Sequence, residues 1–175
     1  MDEKSTYKIY QKLRVTNWNR VADKYDNKQG FSSYYHKRLE EVLRFVIPPG
    51  QRVIEIGCGL GDLLAALKPS YGVGIDFSPQ MITRAKERHP DLHFIETDAH
   101  ELDIKSDFDF VILSDLVNDL WDVQSVFQNI SSFIKPQCRI IITSYSRLWE
   151  LPLTFVRKMG LAKPSLRKLE DDDLP

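Results

Sequence analysis

The stretch that most constrains the fold of this chain is an apolar run that breaks into three alternating glycines. Residues 53–64 read Val-Ile-Glu-Ile-Gly-Cys-Gly-Leu-Gly-Asp-Leu-Leu. The β-branched residues at the start predict a strand, and the apolar residues that follow Asp62 have the spacing of a helix. The glycines therefore form a tight turn between strand and helix. Because glycine tolerates positive φ and has no Cβ, a ligand can lie against bare backbone there. The open N–H groups at the helix start face that ligand.

The spacing of the glycines and the charges beside them narrow the choice of ligand. Dinucleotide sites place Gly-x-Gly-x-x-Gly ahead of a helix. Here the third glycine, Gly61, comes one position early, and Asp62 stands where that pattern needs glycine. A pyrophosphate would therefore meet a carboxylate. Together Glu55 and Asp62 favour a ligand that has a cationic end and no phosphate.

The same run resembles motif I of the class I S-adenosylmethionine-dependent methyltransferases, which reads Glu/Asp-x-Gly-x-Gly-x-Gly. S-adenosylmethionine carries a sulfonium and an ammonium, so the resemblance agrees with the charges around the loop. It implies S-adenosylmethionine as the cofactor, with Glu55 orienting the methionine ammonium through the loop. It also implies backbone contact between the loop and the methionine moiety, at Gly57, Cys58, Gly59 and Gly61.

Strands and helices alternate through the rest of the chain. The sequence predicts five strands, at residues 53–56, 71–75, 92–96, 108–113 and 139–143. This alternation is typical of an α/β fold with a parallel sheet, and the resemblance implies a Rossmann-like, doubly wound sheet of strand order 3-2-1-4-5. We expect the sixth and seventh strands of that family to be missing. The chain is then a minimal variant or a piece of a longer polypeptide.

Three segments follow from this pattern: an N-terminal helical lid over residues 1–49, an S-adenosylmethionine-binding core over 50–146, and a C-terminal helix and tail over 147–175. The first segment is rich in aromatic residues. In the resembled family this segment often folds over the cofactor, and we expect Tyr25 to lie nearest to it. The alternative is that the aromatic side chains simply cover one face of the sheet. The aromatic residues in question are Trp18, Tyr25, Phe31, Tyr34 and Tyr35.

Polar residues stand at the ends of successive predicted strands, where doubly wound sheets bind their ligands. They are Glu55, Asp76, Asp98 and Ser114. The resemblance implies that Asp76 accepts the ribose hydroxyls. It also implies that Asp98 and the backbone of Ala99 bind the adenine edge, since a carboxylate accepts from an amine and an N–H donates to a ring nitrogen. The choice of Asp98 is open by one or two positions within residues 96–101.

Three more residues are assigned by the same resemblance. Phe77 would lie along the adenine face with Met81 below it, although both side chains could equally belong to the core. Ser114 leaves the fourth strand where family members line the methyl group that is transferred. Asp115 follows it, and helix capping explains this residue as well as a site role does.

No catalytic base can be assigned from the sequence. Methyl transfer is an in-line displacement in which alignment alone supplies roughly 7–11 kcal/mol. The four histidines are each expected to be isolated: His36, His89, His93 and His100. Asp115, Asn118 and Asp119 could imitate the acidic cluster of metal-dependent catechol-type methyltransferases, but helix capping explains them equally well. We therefore expect no metal.

Composition excludes several classes of function. The 175 residues are 42% hydrophobic and 28% charged, with a net charge of -1, which gives no general attraction to nucleic acid or membrane. Two cysteines show neither metal spacing nor a disulfide framework, and no apolar run approaches 18 residues. We expect one cytoplasmic domain without a membrane span.

The function predicted is methyl transfer from S-adenosylmethionine to a small molecule or a cell-envelope precursor. A weaker resemblance, over residues 116–123 and 144–150, is to bacterial methyltransferase domains fused to glycosyltransferases, which places the chain in a longer multidomain protein. One alternative is a catalytically inactive S-adenosylmethionine-binding module or partner subunit. Another is a nicotinamide oxidoreductase, which Gly61 and Asp62 argue against.

Overall fold

Five parallel strands form the centre of the fold in the computed structural model, which describes residues 3–24 and 31–144. The strands are β1 (Arg52–Ile56), β2 (Tyr71–Asp76), β3 (His93–Glu96), β4 (Phe110–Ser114) and β5 (Arg139–Thr143). Their order in the sheet is β3-β2-β1-β4-β5. The predicted α/β class and strand order are therefore confirmed. Tyr25 and the predicted C-terminal helix and tail lie outside the described residues.

Helices cover both faces of this sheet. They are α1 (Glu3–Lys24), α2 (Phe31–Val46), α3 (Asp62–Ala66), α4 (Pro79–Arg88) and α5 (Val123–Ser131). Side chains of β1 and β4 alternate between the two faces, so Val53 and Phe110 pack beside α2 and α3 while Ile54 and Val111 pack beside α5. The central strands are thus buried on both faces, as parallel sheets require. No helix in the described part of the chain has both the length and the apolarity needed to cross a membrane.

The helix starts depend on short polar side chains. Ser78 accepts a hydrogen bond from the N–H of Met81 and Pro79 opens α4, as the Ser-Pro pair predicts. The sequence predicts a helix from about residue 119 to residue 134, but α5 begins later. Asp122 accepts from the N–H groups of Gln124 and Ser125 and so fixes its first residue at Val123. A separate 3₁₀ turn, Val117–Asp119, occupies the space between β4 and that cap.

Two glycines in β2 allow neighbouring side chains to lie directly on the strand. A Cβ built on Gly74 would lie 2.7 Å from the Phe94 ring and 2.8 Å from the Cys58 Sγ, and one on Gly72 would lie 2.7 Å from Leu92. Such distances are shorter than van der Waals contact. The core beneath α4 therefore depends on the absence of side chains at these two positions.

We expect Gly74→Ala to lower the free energy of unfolding by about 1–3 kcal/mol, the usual cost of overpacking a filled core. Urea denaturation followed by circular dichroism measures this loss. Phe94→Leu removes ring atoms from the crowded space, so the double variant should lose less than the sum of the two single variants. Strict additivity would show that the Phe94 ring does not limit the space at Gly74.

Candidate functional site

The three glycines of the loop between β1 and α3 have different surroundings. All three have positive φ, 76° at Gly57, 53° at Gly59 and 73° at Gly61. A Cβ on Gly57 would lie 2.9 Å from Leu116 and one on Gly61 would lie 2.6 Å from Phe94, whereas one on Gly59 would meet nothing within 4 Å. Packing therefore explains the first and third glycines. Gly59 borders open space, where a ligand can approach the backbone.

The start of the loop is held to β2 by the carbonyl of Ile75, which accepts from the N–H groups of both Gly57 and Cys58 at 2.8 Å. The Cys58 side chain is buried in a small cluster with Ile82 and Phe94. Burial raises the pKa of its thiol well above the ordinary value. Cys58 thus contributes its backbone to the loop and its side chain to the core.

The Asp76 carboxylate joins the glycine loop to the end of β2. Its Oδ2 accepts from the N–H of Gly59 and its Oδ1 from the N–H of Ser78, both at 2.9 Å. Burial raises the pKa of Asp76, against the effect of these backbone hydrogen bonds. The backbone N–H of Phe77 acts on the same carboxylate. Because a carboxylate has about four acceptor sites, one is left for a further donor such as a ribose hydroxyl.

Glu55 is the most buried carboxyl group of the loop region. Its side chain is 2% exposed, and no described residue forms a hydrogen bond with its Oε2. Burial raises the pKa of Glu55 to about 8, although the backbone N–H of Leu64 opposes this shift. A buried polar atom without a partner costs roughly 1–3 kcal/mol. A cationic group bound at the loop would recover part of this cost, which fits S-adenosylmethionine.

Asp98 forms a pair with His100 that the sequence did not reveal. The His100 Nδ1 lies 2.6 Å from Asp98 Oδ1, while the Gln11 amide donates to Asp98 Oδ2 at 3.0 Å. Burial alone would raise the pKa of Asp98, but the hydrogen bonds from His100 and Gln11 outweigh it and lower the pKa to about 2. The expectation of isolated histidines was therefore wrong for His100. It was also wrong for His89, whose Nε2 lies 3.0 Å from Asp62 Oδ1.

The remaining predicted positions lie at the same edge of the sheet but differ in burial. Met81 is buried against Ala22 of α1, which favours its alternative role as a core residue. Ala99 is also buried, whereas Phe77 and Ser114 are half-buried. The Ser114 Oγ accepts a hydrogen bond from the Thr143 hydroxyl at 3.3 Å.

Helix α1 crosses the carboxyl edge of the sheet above these positions. Its Asn19 accepts from the Ser78 hydroxyl at 2.6 Å, beside the end of β2. Its Gln11 binds Asp98 after β3, and its Arg14 forms an ion pair with Asp119 at 2.9 Å after β4. One helix therefore contacts the segments that follow β2, β3 and β4.

A further carboxylate at this edge is Asp115, directly after β4. It has a φ of 54°, and its Oδ1 accepts from the Tyr35 hydroxyl at 2.9 Å. Asp115 is therefore not the helix cap that the sequence allowed. Within residues 3–24 and 31–144, no group of three His, Cys, Asp or Glu side chains is placed so that it could hold a metal ion.

Comparison with known proteins gives a match to one family and similarity to individual relatives. The sequence model described as "Methyltransferase domain" matches residues 47–172. Phosphoethanolamine N-methyltransferase 2 of Caenorhabditis elegans is 30% identical over 123 residues, 65% of this chain and 28% of that protein. Demethylmenaquinone methyltransferase of Oceanobacillus iheyensis is 25% identical over 141 residues, 73% of this chain and 59% of that protein.

Among solved structures, the S-adenosylmethionine-dependent methyltransferase of Mesorhizobium loti superposes with a TM-score of 0.54 and 26% identity. This superposition covers 59% of this chain and 52% of that one. The chain thus spans between 28% and 59% of the two curated relatives named above. The similarity to each of the three covers only part of that relative.

We expect Glu55→Gln to remove a pH dependence from the stability of the protein. Burial raises the pKa of Glu55 from its ordinary value of 4.5 to about 8, so between these two pH values the folded state holds a proton that the unfolded state has lost. The free energy of unfolding of the wild type therefore falls as the pH rises through this window, by at most about 1.4 kcal/mol per pH unit. The side-chain amide of the variant does not titrate, so residue 55 no longer contributes a pH dependence.

Urea denaturation of both proteins at pH 5, 6, 7 and 8 measures this difference. Relative to the wild type, the Gln variant should become steadily more stable toward pH 8. Asp76, whose pKa is also raised by burial, is present in both proteins, so the difference between them reports Glu55 together with its electrostatic effect on Asp76. Parallel curves for the two proteins would mean that Glu55 is already ionised in the folded state.

Proposed function

The chain belongs to the methyltransferase domain family, and from this premise we propose that it transfers the methyl group of S-adenosylmethionine to a small-molecule acceptor. When bound, S-adenosylmethionine supplies a methyl carbon activated by the sulfonium. The observation that carries the proposal is the pairing of Gly59 with Asp76. The backbone of Gly59 is open to a ligand. Its N–H donates to Asp76, a carboxylate that can accept one further donor.

Each part of the cofactor has a candidate partner at this edge of the sheet. The backbone at Gly59 would lie along the methionine moiety, and Glu55 would balance the charge of its ammonium. Asp76 would accept the ribose hydroxyls. The adenine would lie toward Phe77 and Asp98, whose Oδ2 also accepts from the Gln11 amide. These assignments are the ones that the resemblance to motif I implies, and the strand-end positions and hydrogen bonds described above support them.

Helix α1 is the candidate lid of the site. Among its described side chains only Arg14 and Ala22 are fully buried, and its hydrogen bonds go to the segments after β2, β3 and β4. A helix that buries little apolar surface opens at a lower free energy than the core. Closure over a bound cofactor would exclude water and hold an acceptor in line with the methyl group.

The acceptor is a separate question. The relatives named above act, by their names, on phosphoethanolamine and on demethylmenaquinone, which are different kinds of acceptor. The inactive S-adenosylmethionine-binding module is the second candidate function, and turnover distinguishes it from the enzyme. The cytoplasmic setting and the place in a longer multidomain protein stay predictions from the sequence.

We expect Gly59→Ala to weaken the binding of S-adenosylhomocysteine at least about tenfold, a loss of about 1.4 kcal/mol. The new Cβ would enter the space in which the ligand meets the backbone. Gly50→Ala is the matched control, because Gly50 also has a positive φ, 81°, and also has nothing within 4 Å of an added Cβ. Both variants should lose similar stability from the left-handed backbone.

Isothermal titration calorimetry with S-adenosylhomocysteine measures both affinities, and thermal unfolding confirms that both variants are folded. Equal affinity in the wild type and in Gly59→Ala would exclude the loop as the cofactor site. No heat from the wild type itself would overturn the proposed function. Titration with NAD tests the oxidoreductase, for which we expect no binding.

Hydrogen exchange tests the lid. The amides of α1 should exchange faster than those of β1 in the free protein and should slow when S-adenosylhomocysteine is added, because the bound ligand adds contacts beneath the helix. The amides in the last turns of α2, which packs on the core through Leu43, provide the internal control and should not change. Equal protection of α1 in both states would identify it as a permanently packed cover.

A further inference from the structure

The backbone of Asp115 is held in a conformation that few side chains adopt. Its φ of 54° lies in the left-handed region, where non-glycine residues are uncommon and Asp and Asn are enriched. Its N–H donates to the carbonyl of Thr143 at 3.0 Å, so β5 fixes this conformation from the side. Strained backbone of this kind tends to occur where a side chain must be aimed at a ligand.

The position of Asp115 places it beside the glycine loop. In the sheet Leu113 pairs with Ile56, the residue before Gly57, and Leu116 packs on the Cα of Gly57. Asp115 lies between these two contacts along the chain. It therefore lies at the carboxyl edge of the sheet, where β1 and β4 end, next to the proposed methionine site.

The partners of Asp115 leave its charge uncompensated. Its Oδ1 accepts from the Tyr35 hydroxyl of α2, and the Thr143 hydroxyl of β5 lies close by. Within residues 3–24 and 31–144 it forms no ion pair with a basic side chain. By contrast, Asp98 has His100 and Asp119 has Arg14. Burial raises the pKa of Asp115, and the nearby Asp119 adds to the effect.

We propose that Asp115 binds the methyl acceptor, that this acceptor is an amine, and that Tyr35 is a positioning residue which holds the carboxylate toward it. This inference rests on the proposed function and names the acceptor class of the same site. A carboxylate that has only neutral donors around it attracts an ammonium ligand more strongly than it attracts a ligand with a neutral hydroxyl. The aromatic ring of Tyr35 is a second surface that suits a cation.

The chemical step balances without a further reagent. The ammonium of the acceptor gives one proton to the Asp115 carboxylate, which becomes a carboxylic acid. The nitrogen lone pair then forms a bond to the methyl carbon as the bond between that carbon and sulfur breaks, and the electron pair of the broken bond stays on sulfur. The product is a methylated ammonium, and Asp115 returns its proton to water.

Transfer of radiolabelled methyl from S-adenosylmethionine to two groups of probes tests the acceptor class. The amines are ethanolamine, phosphoethanolamine and phenethylamine, and the probes without an amine are catechol and a naphthoquinol with an unsubstituted ring position. We expect label in at least one amine. In Asp115→Asn, kcat/KM for that amine should fall about 100-fold or more, the usual effect of losing a proton acceptor. The affinity for S-adenosylhomocysteine should change less than twofold.

Asn suits this test because it tolerates the left-handed backbone and its amide oxygen can still accept from Tyr35. Tyr35→Phe removes the O–H that stabilises the carboxylate form, so the acid limb of the pH profile of kcat/KM should move to higher pH. The groups that face Asp115 are Tyr35 from α2, Thr143 from β5 and Asp119, itself paired with Arg14 of α1. Of these groups, the variant changes only Tyr35.

Tyr34→Phe is the matched control, since Tyr34 is the preceding residue of α2 and is 65% exposed. Its pH profile should equal that of the wild type. Binding of S-adenosylhomocysteine with label in catechol or the naphthoquinol alone, or in no amine, would overturn the acceptor class while leaving the proposed function intact. Unchanged amine transfer by Asp115→Asn would overturn the role of Asp115. Failure to bind S-adenosylhomocysteine would overturn both proposals.

Discussion

The site depends on one carboxylate that is shared between two turns. Asp76 ends β2 and accepts from the N–H of Gly59 in one turn and from the N–H of Ser78 in the other. The glycine loop and the start of α4 are therefore fixed relative to each other by a single buried side chain. Because a carboxylate hydrogen-bonded to backbone is held more rigidly than one that faces solvent, the ends of β1 and β2 form one surface. The other strand ends are arranged around that surface.

Charge is distributed unequally over this edge of the sheet. Asp98 and Asp119 each have a basic partner, whereas Glu55, Asp76 and Asp115 are stabilised by neutral donors or lack a partner. The unpaired acidic groups flank the glycine loop on both sides. Such an arrangement raises the free energy of the empty site and favours a ligand that carries positive charge. A sulfonium beside an ammonium meets this requirement, while a pyrophosphate does not.

Much of this arrangement could be predicted from local sequence. The β-branched runs fix the strands, and the Ser-Pro pair fixes the start of α4, because both signals act between residues near each other in the chain. Contacts between distant residues left no such signal. The pair Tyr35 and Asp115 is separated by 80 positions, and Gln11 and Asp98 by 87. The sequence predicts an isolated His100 because the geometry of this residue with Asp98 depends on the 3₁₀ turn Ala99–Glu101. The late start of α5 depends on which of several aspartates caps the helix.

Helix α1 packs on the rest of the fold through a small apolar cluster in which Ala22 meets Leu60 and Met81, and it also supplies Gln11, Arg14 and Asn19 to three different strand ends. The sheet does not need these side chains in order to pack. Substitutions at Gln11 and Asn19 can consequently alter the segments that follow β3 and β2 without opening the core, whereas substitutions in β1 or β2 disturb the core. Because Gln11 binds Asp98 and Asn19 accepts from Ser78, variation at these two positions acts on the proposed cofactor site. The proposed acceptor site at Asp115 and Tyr35 lies outside this helix and can therefore diverge independently of it.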